Sequence, residues 1–397
     1  MKYDFDSIVD RRQTGSVKWD KYAGRDILPL WVADMDFRCP PAVLEALRRR
    51  IDHGVFGYSV AQEELVEIVV ARLKAKYNWQ IERDWLVWLP GVMPGINIAC
   101  RCIGGDGDEV MCFVPAYPPF LTAPSQFGRQ LKTVPLSRRD NKFYMDPERF
   151  KEAVTSRSKL LILCNPHNPV GREYDAKELK TIAQICLANG IIICSDEIHC
   201  DLILDEIKHI PTATLSPEIA QNTITLLSSS KTFNTPGLNC GLAIIPNEKI
   251  REIFSPAAAR TLPDCNALGL VAALAAYRDG EEWRQELIQY LRQNRDIVTD
   301  YVNNQIPLLS MDHIEATYLA WINITKLEVT DPAGFFENAG VGLSDGRFFQ
   351  GPGYVRLNFG CSRKILLQAL ERMKKAVEKK IKAINTPLNP LSRGDFF

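Results

Sequence analysis

The sequence predicts an α/β protein built on a mostly parallel sheet with helices on both faces, and three observations carry that prediction. Between residues 85 and 246, short apolar runs alternate with stretches of helical spacing, the pattern of strands joined by helical crossovers. The run at 191–194, IIIC, is uniformly apolar, as a strand buried on both faces is, and TITLL at 223–227 is a second β-rich run. Each delivers an ionisable residue just past its end, Asp196 after the first and Lys231 after the second, and the carboxyl ends of strands are where open α/β sheets place ligands. Alone, Lys231 also reads as a surface lysine and Asp196 as a turn or helix-cap residue. Together, an acid and a lysine at two such strand ends suggest one site.

The elements follow in order. Residues 1–30 are polar and rich in turns, and LPLWVADMDF at 28–37 is unusually apolar for a loop. Such a loop must bury itself, against its own domain or across a subunit boundary. PPAVLEALRRRID at 40–52 opens with proline and has helical spacing at Val43, Leu44 and Leu47. GVFGYS breaks it at 54–59, and a helix is expected over 62–77. LVWL from Leu86, DEVMCFVP at 108–115, RQLKTVPL at 129–136 and KLLILC at 159–164 read as strands, with a helix after PGVMPG. DAKELKTIAQICLANG at 175–190 reads as a helix with Asp175 as N-cap and Gly190 as C-cap. GLAIIP at 241–246 is a further strand, and a helical pattern covers 267–304. EATYLAWINI and YVRLNFG are later strands, 364–384 is a basic-ended helix, and the tail TPLNPLSRGDFF reads as extended and poorly ordered.

A chain of 397 residues is too long for one ordinary core. The expected division is a large domain over 46–284, a smaller one joining 1–45 to 285–384, and a tail at 385–397. Lys+Arg and Asp+Glu number 48 each, so neither a nucleic acid nor a membrane surface is an expected partner. The N-terminus MKYDFDSIVDRR has no apolar core of a signal peptide, and no run of 18 apolar residues occurs, which makes the expected location cytoplasmic. The eleven cysteines include no C-x-x-C pair and fall mostly in apolar stretches. They read as reduced core residues rather than a metal site or a disulfide framework.

Several segments can carry chemistry. NPHNPVG at 165–171 follows a strand, and its prolines remove donors and stiffen the turn, presenting Asn168 in a fixed direction. The same segment also reads as a plain strand-to-helix turn. PGVMPG offers free N–H groups at Val92 and Met93 where a helix opens, a phosphate site in principle and a common α/β turn otherwise. Tyr117, just past a strand, can stack on a planar ligand or pack in the core. Arg356, in a strand with apolar neighbours, needs an anion from the protein or from a ligand.

The order Tyr58, Gly91-Val92-Met93, Tyr117, Asn168, Asp196, Ser228-x-x-Lys231, Arg356 resembles the fold-type I pyridoxal-phosphate enzymes, the aspartate aminotransferase superfamily, over about residues 25–380. Within it, VKWD at 17–20, LPLWVADMDF, NPHNPVGR, SDEIHCD, SSSKTFN, TYLAW and VRLNFGCSR are similar to the MalY/PatB group of cystathionine β-lyases, or C–S lyases. The resemblance implies a large domain with a mostly parallel, seven-stranded type of sheet between helices and a smaller α+β domain built from both termini. It implies pyridoxal 5′-phosphate as cofactor, a small-molecule amino-acid substrate, and a homodimer with active sites shared between subunits. Lys231 would hold the cofactor covalently and act as base at Cα; Asp196 would pair with the ring nitrogen, Asn168 with the ring's 3-oxygen, and Tyr117 would stack on the ring. Val92, Met93, Ser228 and Ser230 would cradle the phosphate with Tyr58 of the partner subunit. Arg356 would clamp the substrate carboxylate, with Asn168 and the backbone of Ala33 beside it.

The chain departs from the transaminases of that superfamily at three places. His199 stands where a tyrosine is usual and is counted among the cofactor-binding residues, Asn239 replaces an arginine on the phosphate, and Cys265 lies where a dicarboxylate transaminase has a second arginine, with Arg260 the nearest. The expected activity is therefore α,β-elimination from cysteine S-conjugates to a thiol, pyruvate and ammonia. The alternatives are an aminotransferase of non-dicarboxylic amino acids and a protein of this fold with an added regulatory binding role.

Overall fold

The computed structural model describes residues 2–385. Seven strands form the central sheet: β1 Leu86–Leu89, β2 Glu109–Val114, β3 Gln130–Pro135, β4 Ser158–Cys164, β5 Ile192–Asp196, β6 Thr223–Leu227 and β7 Gly241–Ile244. Across the sheet they lie in the order β1-β7-β6-β5-β4-β2-β3. β2 to β6 run parallel, and β7 is antiparallel to both of its neighbours. Every residue of β2 and β6 is buried, which is why these strands lack polar alternation. Successive side chains still divide between two faces. Val110, Cys112 and Val114 pack with Ile96, Phe120 and Phe254 of the helices Val92–Cys102, Pro118–Gln126 and Glu248–Thr261. Met111 and Phe113 pack with Leu179 and Ile182 of the helix Ala176–Ala188 on the other face.

A second, antiparallel sheet is built from Ser310–Met311, Leu319–Asn323, Tyr354–Asn358 and Ser344–Asp345. Its apolar face packs with the helices Glu281–Asp300 and Arg363–Asn385. The N-terminal segment joins it, because Leu28–Pro29 pairs in parallel with Val341–Gly342. Leu30, Met35 and Phe37 of the apolar loop enter the same core, so the loop buries itself within its own chain.

Two boundaries differ from expectation. The helix beginning after Asp175, whose carboxylate accepts from the Glu178 N–H, has its C-cap at Asn189 and not at Gly190. Gly190 is the next residue and takes the left-handed conformation, φ 64°, where glycine carries no Cβ penalty. The helical pattern at 267–304 is divided at Gly280 into Ala267–Asp279 and Glu281–Asp300. A Cβ at Gly280 would stand 2.7 Å from the Phe233 ring, so packing selects glycine there. The tail expectation falls on residues outside those described. No described helix is long and apolar enough to cross a membrane.

Candidate active site

The site forms where β4, β5 and β6 end, beneath the apolar loop and against the second sheet. Asp196 closes β5 and is 5% exposed. Its carboxylate accepts the Ile198 N–H at 3.0 Å and has no cationic partner within salt-bridge distance among the described residues. Burial pushes its pKa up to about 7; the Ile198 N–H and Lys231 oppose this, and Glu197 adds to it. Lys231 follows β6, whose Leu226 lies opposite Asp196 in the sheet register. Its Nζ donates to the Ala33 carbonyl at 2.6 Å, and the Tyr318 hydroxyl donates to the same oxygen at 3.0 Å. Burial first, with Arg356 also lowering it against Asp34 and Asp196, brings the Lys231 amine down to about 8. A base close to neutrality beside a proton-holding acid is the arrangement expected of acid–base chemistry.

Arg356 arrives from the strand Tyr354–Asn358 and is 4% exposed. Its guanidinium donates from Nη1 to Asn168 Oδ1 at 2.9 Å and from Nη2 to the Trp31 carbonyl at 3.0 Å, and it lies 4.7 Å from the Phe349 ring centroid. Among the described residues no carboxylate pairs with it and Nε is left without a partner, and burial lowers its pKa to about 10. A buried cation without a counter-ion is costly, and an arginine fork is matched to a carboxylate. His199 is also fully buried, with Nδ1 unpartnered. Burial, then Lys231 and Arg356, holds it neutral with a pKa of about 3. Tyr117 precedes the helix Pro118–Gln126, and burial, the largest influence, raises its phenol pKa.

A second group of donors gathers at the ends of β1 and β6 and the start of β7. A Cβ on Gly241 would stand 3.1 Å from the Gly91 Cα and 3.2 Å from the Leu227 carbonyl. Ser228 and Ser230, joined by a 2.8 Å hydroxyl contact, follow Leu227. The helix Val92–Cys102 opens after Gly91 with no side-chain cap, leaving the Val92 and Met93 N–H groups as anion donors. These residues fit pyridoxal 5′-phosphate: a buried lysine, an unpaired buried carboxylate, an anion cradle of backbone N–H and hydroxyl groups, and an orphaned arginine. Among the described residues no three His, Cys, Asp or Glu side chains converge as metal ligands.

Of the sequence-predicted residues, Tyr58 alone is not brought to this cluster; its side chain projects fully into solvent. Other residues build the site without having been singled out. Asn358 Nδ2 donates to the Val32 and Asp34 carbonyls at 2.6 and 2.7 Å, and Asn234 Nδ2 donates to those of Met35 and Phe37 at 2.9 and 2.7 Å. With Tyr318 they pin the loop over Lys231. Asn234 and Asn358 stand inside SSSKTFN and VRLNFG, and for Asn358 an amide among apolar strand residues was the available signal.

Comparison with known proteins agrees with this geometry. The aminotransferase class I and II family model matches residues 25–373. The chain is 35% identical to cystathionine beta-lyase PatB of Bacillus subtilis, over 94% of this chain and 100% of that one. The crystal structure of OvoB superposes with a TM-score of 0.92 at 45% identity, covering 94% of this chain and 99% of that one. Cystalysin from Treponema denticola, whose crystal structure contains pyridoxal 5′-phosphate, superposes with a TM-score of 0.92 at 32% identity, covering 96% and 100%. With a family match across most of its length and the buried lysine, carboxylate and arginine in place, this chain belongs to the aminotransferase class I and II family.

Proposed function

We propose that this chain is a pyridoxal 5′-phosphate-dependent carbon–sulfur lyase that cleaves L-cysteine S-conjugates of the cystathionine type to a thiol, pyruvate and ammonia. The carrying observation is the Arg356 guanidinium, buried without a carboxylate among the described residues and placed to receive that of an amino acid. When bound, the cofactor supplies an electron sink for the charge left as the Cα proton departs. The chain's residues do the rest. Lys231 holds the cofactor and takes the Cα proton, work suited to an amine whose pKa is lowered to about 8. Asp196 would pair with the ring nitrogen, Asn168 with the 3-oxygen, and Tyr117 would cover the ring. Val92, Met93, Ser228 and Ser230 would hold the phosphate, and neutral His199 offers its buried, unpartnered Nδ1 to the bound cofactor. Arg356 orients the substrate carboxylate next to Asn168 and the Ala33 backbone.

Transfer of an amino group from a dicarboxylate needs a second cation, and Cys265 supplies none. Its thiol is buried and donates to the Leu89 carbonyl at 2.8 Å. An unpaired substrate carboxylate in a dry site costs several kcal/mol, enough to suppress transfer by orders of magnitude. PatB's name places β-elimination from cystathionine in the same family. The test compares kcat/KM for pyruvate and free thiol from a panel of cysteine thioethers with that for keto acid from glutamate, aromatic and branched amino acids. Elimination is expected to be the faster by at least tenfold; efficient transfer with negligible pyruvate sinks the lyase reading.

The active form is a homodimer in this reading, with Tyr58 completing the phosphate site of the partner subunit. Val55, Phe56, Tyr58 and Val60 form an apolar arm, each more than half exposed, beside a hollow of about 580 Å³ lined in part by Arg50, His53, Leu270 and Leu274. An arm of that kind needs cover. Mixing Tyr58→Phe with Lys231→Ala protein should restore activity once subunits exchange, and no recovery despite exchange rules out shared sites.

A further inference from the structure

Next to Asp196 along the chain lies a buried cluster that the chemistry above does not use. His209 is held between two glutamates: Nδ1 lies 2.9 Å from Glu173 Oε1 and Nε2 lies 3.0 Å from Glu197 Oε2. The three side chains are at most 4% exposed. Both glutamates belong to segments that carry site residues. Glu197 follows Asp196 directly, and its Oε1 also accepts the Ser195 hydroxyl at 2.8 Å and the Thr212 N–H at 3.0 Å. Glu173 closes the turn that presents Asn168, and its Oε1 also accepts Asn165 Nδ2 at 2.9 Å. The Asn165 N–H in turn donates to the Asp196 carbonyl at 3.0 Å.

We propose that His209 is a positioning residue whose positive charge, held between Glu197 and Glu173, keeps Asp196 as a carboxylate facing the cofactor's ring nitrogen. The role rests on the reading of Asp196 as that nitrogen's partner. Hydrogen-bond chemistry is the first support. A neutral imidazole donates from one nitrogen and presents a lone pair at the other. Here both nitrogens face glutamate oxygens, and only the imidazolium donates to both. The two glutamates outweigh the cost of burial and hold the His209 pKa up at about 10.

Charge is the second support. With the imidazolium in place the cluster carries one net negative charge, and without it two. Glu197 lies on Asp196's side of the pair with the ring. An uncompensated charge there draws the shared proton from the ring nitrogen to Asp196, and a neutral ring is a poorer electron sink. Asp196 is already pushed up to about 7, mainly by burial and in part by Glu197, so it has little margin. The other ionisable groups around His209 leave that balance unchanged. Tyr77 stands edge-on at 5.6 Å and burial raises its pKa well above the usual value. The Cys200 thiol is held up chiefly by burial, Asp201 is paired with Arg72 and Lys76, and Lys208 is exposed. Glu315, which accepts the Glu173 N–H at 2.9 Å, is paired with Lys142 and lies within ion-pair reach of Arg172.

The test uses two variants that disturb the same contact with opposite charge. His209→Gln removes the cation, and Glu197→Gln removes an anion. Each is purified as apoprotein, titrated with pyridoxal 5′-phosphate, and examined by ¹⁵N NMR with the ring nitrogen labelled. His209→Gln should weaken cofactor binding by about tenfold, the equivalent of one pKa unit at Asp196, and move the nitrogen signal toward the unprotonated position. Glu197→Gln should bind at least as tightly as the parent, with the nitrogen protonated. A mere strut predicts equal loss in both variants, and that result, or no change in either, overturns the role. Asp196→Asn separates the two readings. If it leaves the nitrogen signal unmoved, the assignment of Asp196 fails; if it moves the signal while His209→Gln does not, only the role of His209 fails. Histidine NMR on the parent protein covers the case of a variant that does not fold: His209 charged at pH 8 supports the role, and His209 neutral at pH 8 overturns it.

Discussion

Two kinds of buried charge stand in this molecule, and they are built on opposite rules. Around Asp201 everything is paired. Its carboxylate meets Arg72 Nη2 at 2.8 Å and also bonds Lys76 Nζ. Burial alone would raise its pKa, and the two cations overcome this and hold it well below the usual carboxylate range. Lys18 is treated likewise: fully buried, it donates to Asp36 Oδ2 at 2.8 Å, while Asp36 is shared with Arg11 at 2.7 Å. At the sheet's carboxyl edge the pairing is withheld. Asp196 has one backbone N–H, Lys231 a carbonyl, and Arg356 an amide oxygen and a carbonyl. The consequence is a carboxylate at about 7 and an amine at about 8. Fully paired charge is insensitive to pH near neutrality and serves as scaffold. Underpaired charge is unstable by itself, and that instability is what a charged ligand relieves.

The largest effect expected from this contrast is on stability. Arg72→Met leaves the buried Asp201 with Lys76 as its remaining ion-pair partner, a change that costs up to about 3–5 kcal/mol. Urea unfolding should show that loss while kcat/KM per folded molecule stays at the parent value. A loss below about 1 kcal/mol would erase the distinction between the two regions.

The pH dependence of the apoprotein has opposite signs at the two aspartates. Asp196 has a folded pKa raised from 3.8 to about 7. Its contribution is therefore fully present below the unfolded value and is lost as pH rises through about 7. At 1.36 kcal/mol per unit, the loss reaches about 4 kcal/mol at most. Asp201 has a depressed folded pKa, so its contribution is present above the unfolded value and is lost as pH falls. Above pH 7, Asp196→Asn should raise the apoprotein's thermal midpoint and Asp201→Asn should lower it. Shifts of the same sign would break the comparison.

A smaller effect is expected at the substrate end. Arg356→Lys keeps a cation and loses the fork, and a lysine ammonium does not match a carboxylate bidentately. Losing a charged hydrogen bond costs about 1.5–3 kcal/mol, so KM for a cysteine thioether should rise roughly ten- to a hundredfold with the fold's stability unchanged or improved. An unchanged KM would mean that another group receives the carboxylate.

Much of this was legible in the sequence for a local reason. Strand ends are marked by apolar runs, so the central strands and the positions of Asp196 and Lys231 past two of those runs could be read from the sequence. Local exceptions hid other elements. The helix Glu248–Thr261 carries Pro256 in its interior, which breaks the helical signature. The hairpin Ser137–Arg139 to Lys142–Tyr144 turns on Asp140 and Asn141, with φ of 51° and 56°, a signal that was present in the Asp-Asn pair. Contacts between distant segments were not legible at all. Tyr318 reaches the Ala33 carbonyl across 285 positions, and Glu173, Glu197 and His209 have no spacing that announces a cluster. Burial and pairing, which separate the scaffold charges from the site charges, are properties of the folded chain.

The most direct test of the central claim is chemical. The underpaired lysine after β6 should be the one that holds the cofactor. The purified holoenzyme is reduced with borohydride, digested, and its peptides are mapped for a pyridoxyl group. The account predicts a single labelled site, Lys231, in a protein whose visible absorption disappears on reduction. A label on any other lysine, or no label on an active protein, would contradict it.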